Sequence, residues 1–318
     1  MKKNIDLIAE SYKQSMKDYD NFSKSKHWIF FNNKKKNLFD VSNLEFFRKN
    51  GLSNGLDDKA PDIKHLTNYY KYILQKCGID FVYNNLEINN VGFNDHYIKI
   101  KKYFIDLNFL SNLEHFYYIS KKINLKKIKI ICEIGGGFGQ LSKIFLNNHK
   151  TKYILIDLPE TNFISSYYLM ENFKDLNFLL YSQTNKKFID DKAIENFDVI
   201  IIPPWVKLKN TKVDLFINIR SMMEMNFNTI KNYFYLIHKN ISTNGFFVNF
   251  NRYQKNTTGE SIEFHKYPYD SYWQIISSEP SQSQKIVHQL ITKRTKKIDL
   301  SLTNELKRIK NIMKKLKQ

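Results

Sequence analysis

The residues best suited to chemistry are Glu133, the glycines at 135, 136, 137 and 139, and Asp157. The glycines follow an apolar run at 128–132 and precede an amphipathic stretch at 141–146, so the order reads strand, turn, helix. Glycine has no Cβ, and such a turn lets backbone N–H groups and a helix N-terminus close on a ligand. The loop is Gly135, Gly136, Gly137, Phe138 and Gly139. A dinucleotide fingerprint, G-x-G-x-x-G, would need its third glycine at 140; that position is Gln140, which disfavours a nicotinamide ligand. Asp157 ends the next apolar run, 18 positions beyond Gly139, where an acid accepts hydrogen bonds from both ribose hydroxyls. Leu158 follows it on the same rim. Asp-Leu-Pro-Glu at 157–160 also reads as a helix start, so capping is the competing role for Asp157.

A second group lies at 214–225. Asn218, Ser221 and Glu224 come directly after a buried apolar run, which aims them at the same cleft. Glu224 is the first candidate for a general base; the competing reading is an acid that stabilises the first turn of a helix. His265, in a polar loop at 260–270, is the second candidate, with the better intrinsic pKa for proton transfer. His96 and His115 reach the cleft only if the N-terminal region folds over it, and His238 near a helix end is discounted. Asn249 and Arg252 follow a later strand and are expected on the acceptor, with Arg252 suited to a phosphate or carboxylate. Trp205 either covers an adenine or packs a loop on the core. There is no H-x-x-x-H, C-x-x-C or compact acidic triplet, so no metal is expected.

These residues need a scaffold that brings strand ends together. From Lys126 onward the pattern alternates β and α, which predicts an α/β fold: a Rossmann-like sheet with helices on both faces. Strands are expected at 128–133, 153–157, 214–218 and 245–249, with 176–181 and 198–202 competing for one position. Two further strands fall at 272–277 and 286–292. Helices are expected at 140–147, 160–172 and 222–240. Residues 1–125 read as a mostly helical region shaping the acceptor site, with 84–102 ambiguous between strand and helix. Pro61 and Asp62 start a helix that Gly78 ends, and 49–58 is a polar loop. Residues 126–298 form the cofactor domain. Residues 299–318 form a basic amphipathic helix that docks on its own domain or a partner subunit, or lies on a membrane surface; docking is favoured.

The chain as a whole narrows the function classes. Net charge is +19, from 50 Lys and Arg against 31 Asp and Glu. The lysines are scattered through a chain rich in Asn, Ile, Phe and Tyr, and no nucleic-acid signature accompanies them, so nucleic acid is disfavoured and an anionic small molecule is the milder use of the charge. Two cysteines, Cys77 and Cys132, make no disulfide framework and suit a reducing cytoplasm. The N-terminus has no apolar signal region, and no run is long enough to span a bilayer.

E-x-G-x-G-x-G at 133–139 resembles the cofactor loop of class I S-adenosylmethionine-dependent methyltransferases. D-L-F-I-N-x-x-S-M-x-E-M at 214–225 is similar to a signature of the bacterial sugar O-methyltransferase family. Ile-Asp-Leu-Pro-Glu at 156–160, Asn-Phe-Asn-Arg at 249–252 and, more weakly, Gly51 to Asp58 are similar to other hallmarks of that family. The resemblance covers roughly 128–255. It implies S-adenosylmethionine as cofactor, with Glu133 meeting the methionine amine, Asn218 on the cofactor, and Ser221 on the substrate. It also implies methyl transfer to a sugar hydroxyl in capsule or lipopolysaccharide assembly. The partner is then a small-molecule or glycan acceptor, free or linked to a nucleotide or phosphate; self-association stays open. The rivals are a methyltransferase acting on a phosphorylated or other non-sugar acceptor, and a cofactor-binding scaffold without turnover.

Overall fold

The computed structural model describes residues 2–19, 25–53 and 62–316. An eight-stranded sheet organises it. In chain order the strands are β1 (Ile130–Ile134), β2 (Lys152–Ile156), β3 (Phe178–Leu180), β4 (Val199–Ile202), β5 (Val213–Ile219), β6 (Ile241–Arg252), β7 (Trp273–Pro280) and β8 (Val287–Arg294). Their spatial order is β7-β8-β6-β5-β1-β2-β4-β3. Strands β1 to β6 run parallel to their neighbours, and β8 is antiparallel to both β6 and β7. This is the Rossmann-like α/β sheet expected from the sequence. The chain winds outward from β1 through β2 and returns to the other side of β1 at β5. In an open α/β sheet the ligand crevice lies at that reversal, outside the carboxyl ends of the strands.

The two stretches that compete for the place beside β2 both enter the sheet. Residues 199–202 pair with β2, and 178–180 form the edge outside them. Both are continuous apolar runs, and a parallel sheet covered on both faces accepts such runs at either position.

Side chains sort by the two-residue period of the strands. Leu215, Ile217, Val248 and Phe250 face one core, and Phe216 and Phe247 face the other. The helices are α1 (Lys2–Lys17), α2 (Lys26–Lys34), α3 (Ile63–Cys77), α4 (Leu107–Lys122), α5 (Gln140–Asn148), α6 (Pro159–Asn172), α7 (Phe227–Asn240) and α8 (Ser301–Lys315), with shorter helical turns between them. Buried residues of α3 and α4, among them Leu66, Ile73, Leu110 and Leu113, share the first core with β1, β5 and β6. These N-terminal helices therefore complete one face of the sheet. Helix α3 begins where Asp62 accepts the Lys64 N–H at 3.0 Å and stops at Gly78, whose φ of 90° ends the helix. Helix α4 is capped by Asp106, which accepts the Phe109 N–H at 2.8 Å and is itself held by the buried Arg48 at 2.9 Å. That cap and ion pair fix the helix that carries Ser111, Asn112 and His115.

Two expectations change. Residues 84–102 contain neither a long strand nor a long helix; they lead into a small antiparallel hairpin, Ile98–Ile100 against Tyr103–Ile105. The helix expected over 222–240 is broken into a single turn, Met222–Glu224, and α7. Asn218 and Asn251 on the strands accept the Met222 and Met223 N–H groups, tying that turn to the sheet instead of to the helix behind it. The tail helix α8 buries Leu302, Ile309 and Met313 against β7 and the turn at 264–266, and leaves Lys307, Lys310 and Lys314 exposed. Its apolar stripe thus packs on its own domain. No helix among the described residues is long and apolar enough to cross a membrane. Pro61 and positions 54–58 of the polar loop lie outside the described residues.

Candidate active site

A cavity of about 440 Å³ opens at the carboxyl ends of β1, β2 and β5. One wall is the glycine loop with Glu133, Asp157 and Leu158. Trp28, Leu52, Ser53, Asn112 and His115 of the N-terminal region also line the cavity, as do Arg220, Ser221 and Glu224 after β5.

The loop needs its glycines. Gly135 sits at φ +74°, and a Cβ there would lie 2.0 Å from the Ser221 Oγ. A Cβ on Gly136 would lie 2.2 Å from the Leu155 Cδ1. Gly139, at φ +94°, begins α5 but does not border the cavity. Phe138 does border it, packed between Phe47 and Tyr168 with the Arg48 guanidinium 5.1 Å from its ring.

Glu133 is buried behind the loop. One carboxylate oxygen accepts from Ser142 Oγ and from Tyr153 OH, each at 2.7 Å. Burial raises its pKa, and these two hydrogen bonds work against that rise. Asp157 is tied into the loop: Oδ2 accepts the Gly137 N–H at 3.0 Å and Oδ1 accepts the Leu158 N–H at 2.7 Å. It also bonds the Thr161 side chain in the first turn of α6, whose N-cap position is Leu158. Burial pushes the Asp157 carboxyl up to about 7, opposed by those backbone bonds. At neutral pH the group therefore stands poised between its two protonation states.

The part of the lining after β5 is built differently. The Arg220 backbone is left-handed at φ 61°, pinned by its N–H donating to the Phe250 carbonyl at 2.7 Å. This turn aims its side chain into the cavity wall. Glu224 borders the cavity too, but its carboxylate is ion-paired with Lys255 and lies 3.5 Å from the His27 Nε2. His115 is 6 % exposed and lines the cavity, and its Nδ1 has no hydrogen-bond partner among the described residues. Burial, reinforced by the charge of Arg220, depresses its pKa to about 4, so the imidazole is neutral at physiological pH.

Several residues singled out from the sequence are placed elsewhere. Asn218 and Asn249 are fully buried partners across β5 and β6 and do not border the cavity. Asn218 donates to the Ile134 carbonyl (2.8 Å) and to the Ser221 Oγ (2.6 Å), and accepts from Asn251 (2.8 Å). Asn249 accepts from Asn251 at 2.6 Å and donates to the Tyr269 hydroxyl at 2.8 Å. Their amides are used up in a network that holds Ser221 and the turn at 222–224 in place. Arg252 does not border the cavity either; it stands beside Arg220 with its Nε buried and unbonded among the described residues. His265 is away from the cavity, 3.6 Å from Glu263 and near Lys310 and Lys314 of α8, because the tail helix packs over its loop. Trp205 packs against Tyr19 and Tyr181 and donates to the Tyr181 hydroxyl, the packing role of its two readings. His96 and His238 do not border the cavity.

Arg220 was passed over in the sequence although it lies between Asn218 and Ser221; its left-handed backbone has no sequence signal in a non-glycine residue. Ser142 and Tyr153 were likewise unreadable as the partners of Glu133, since they come from α5 and β2. Among the described residues no group of histidine, cysteine and acidic side chains could hold a metal ion.

No family model and no curated protein matches this chain. Solved structures that are similar to it include the mitomycin 7-O-methyltransferase MmcR, with 10 % identity, 78 % of this chain and 71 % of that one covered, and a TM-score of 0.40. Human N-acetylserotonin methyltransferase, in complex with S-adenosylmethionine, gives 12 % identity, coverage of 59 % and 55 %, and a TM-score of 0.36. Magnesium protoporphyrin IX methyltransferase from Synechocystis PCC 6803, also with bound S-adenosylmethionine, gives 10 % identity, coverage of 59 % and 80 %, and a TM-score of 0.41.

Proposed function

We propose that this chain binds S-adenosylmethionine in the cavity and directs methyl transfer to a hydroxyl of a sugar-type acceptor. The observation that carries the reading is Asp157 bonded to the Gly137 N–H at the carboxyl ends of β1 and β2. It supports the reading because an acid at this strand end can accept ribose hydroxyls beside a loop that tolerates close ligand approach. The residues present fit the cofactor. Asp157 would take the ribose hydroxyls, and Glu133, at the base of the loop, would balance the cationic amine. Leu158 and Phe138 supply apolar surface on the same wall. A volume of about 440 Å³ falls in the range of small-molecule sites.

The sulfonium of the cofactor supplies a methyl group that is already activated. The chain must then hold the acceptor hydroxyl in line with it, and such positioning can provide most of the rate gain. The acceptor hydroxyl also has to lose its proton. His115 is suited to take it: neutral and bordering the cavity. Glu224 is less free, because Lys255 and His27 engage both its oxygens. The sugar acceptor, and a place in capsule or lipopolysaccharide assembly, rest on the resemblance of 214–225 to the sugar O-methyltransferase signature. Calorimetry with S-adenosylmethionine and with NAD tests the cofactor; tight NAD binding without the former sinks the proposal. Formation of S-adenosylhomocysteine with a panel of nucleotide-activated sugars and capsule fragments tests the acceptor. No turnover with any member would leave the scaffold reading.

A further inference from the structure

We propose that the acceptor is an anion and that the Arg220 guanidinium holds its phosphate or carboxylate group. This rests on the cavity being the methyl-transfer site.

Arg220 lines the cavity and has neither an ion pair nor a side-chain hydrogen bond among the described residues. A guanidinium that lines a cavity without a partner favours a ligand that supplies one, and the charge of Arg252 also acts on Arg220. Glu224 is the acid that acts on Arg220 among the described residues, and Lys255 occupies it. Arg220, Arg252 and Lys255 thus face one carboxylate. His27, whose pKa burial lowers, does not supply a compensating charge of the other sign. A guanidinium on the wall of a cavity, without an ion pair among the described residues and under the charge of a second arginine, is a site for a negative ligand group. The planar guanidinium fork matches a phosphate or carboxylate through two parallel hydrogen bonds. The chain's net charge of +19 would draw such a ligand in.

The position also suits the reaction. Arg220 follows β5, lines the cavity, and lies close enough to His115 to help depress its pKa. An acid group seated on Arg220 offsets that charge and makes His115 a better base once the acceptor is bound. The acceptor oxygen then forms its bond to the methyl carbon as the carbon–sulfur bond breaks. The hydroxyl proton passes to His115, and the sulfonium leaves as a neutral thioether.

The test uses the full-length protein saturated with S-adenosylhomocysteine. Inorganic phosphate, glucose 1-phosphate, glucuronate and glucose are titrated by calorimetry. At least one anion is expected to bind, with glucose at least about tenfold weaker. Arg220→Gln should weaken the anion by about 10- to 100-fold, the loss of one charged pair, while leaving S-adenosylhomocysteine affinity within about threefold. Glucose binding as well as the anions, no anion binding by the wild type, or an anion affinity indifferent to Arg220→Gln each overturns the proposal. A folded Arg220→Gln that has lost S-adenosylhomocysteine overturns it as well, because the arginine would then pair with the cofactor's own carboxylate. If that variant does not fold, as judged by its thermal melt, Arg220→Lys serves: it keeps the charge and loses the fork. Anion affinity should fall several-fold there, and an unchanged value overturns the proposal. A wild type that does not bind S-adenosylhomocysteine overturns the functional reading itself, and the acceptor assignment with it.

Discussion

The two walls of the cavity are built on opposite principles. On the glycine-loop wall the two acids are already paired: Glu133 with Ser142 and Tyr153, Asp157 with the Gly137 and Leu158 amides. Its shape comes from backbone with no room for a side chain at Gly135 or Gly136. On the other wall charged and polar groups stand unmatched among the described residues, Arg220 beside Arg252 and His115 with an idle Nδ1. The first wall is preorganised and changes little when its ligand arrives. The second is completed by its ligand. Preorganisation lowers the cost of binding, whereas unmatched groups make binding selective, because the wrong ligand leaves them buried and unpaired.

This contrast can be broken most sharply at Gly135. Gly135→Ala drives a Cβ into Ser221 and strains a positive φ, so S-adenosylhomocysteine binding should disappear from calorimetry. Binding within tenfold of wild type would show that the loop yields and is not preorganised.

His115→Gln examines the other wall. The turnover number should fall about 10²- to 10⁴-fold with cofactor affinity unchanged. A fall in cofactor affinity instead would move His115 to the cofactor wall.

The pH dependence is a milder probe. Burial raises the Asp157 pKa to about 7, and in the proposed complex the ionised form would accept the ribose hydroxyls. Cofactor affinity should hold above pH 7 and drop up to about tenfold per unit below it, until Asp157 protonates in the complex as well. The stability of the empty protein runs the other way. A raised carboxyl pKa means that the folded state holds a proton the unfolded chain releases. That contribution is present below the unfolded value and is lost as pH rises through about 7. Flat cofactor affinity from pH 8 to 5.5 would remove Asp157 from the ribose.

The smallest effect is expected at Glu224. With its carboxylate held by Lys255, Glu224→Gln should lower the turnover number only a few-fold; a loss above about 100-fold would restore it as the base.

Legibility in the sequence follows the same division. The cofactor wall was readable because its parts are local: an apolar run, glycines at fixed spacing and an acid at the next strand end occupy one βαβ unit. The acceptor wall was not. Asn218 and Asn249 look like ligands when read as polar residues at strand ends. In the fold they are cross-strand neighbours that satisfy one another. His265 looked free in a polar loop until α8 packed over it. His115 was conditional on the N-terminal region covering the cleft, and α4, anchored through Asp106 and Arg48, does cover it.

The sequence by itself determined the alternating α/β order, the glycine turn with its acid partner, the docked amphipathic tail and the two-residue sorting of the strands. Each depends on period and local backbone chemistry, which neighbouring residues carry. The tertiary structure alone decided which side chains line the cavity beyond the loop. It chose Arg220 over Arg252, set His115 on the cavity, and spent the asparagines on the sheet. Those outcomes depend on burial and on partners up to more than a hundred residues away, and a buried polar group becomes structural or functional according to whether the fold supplies such a partner.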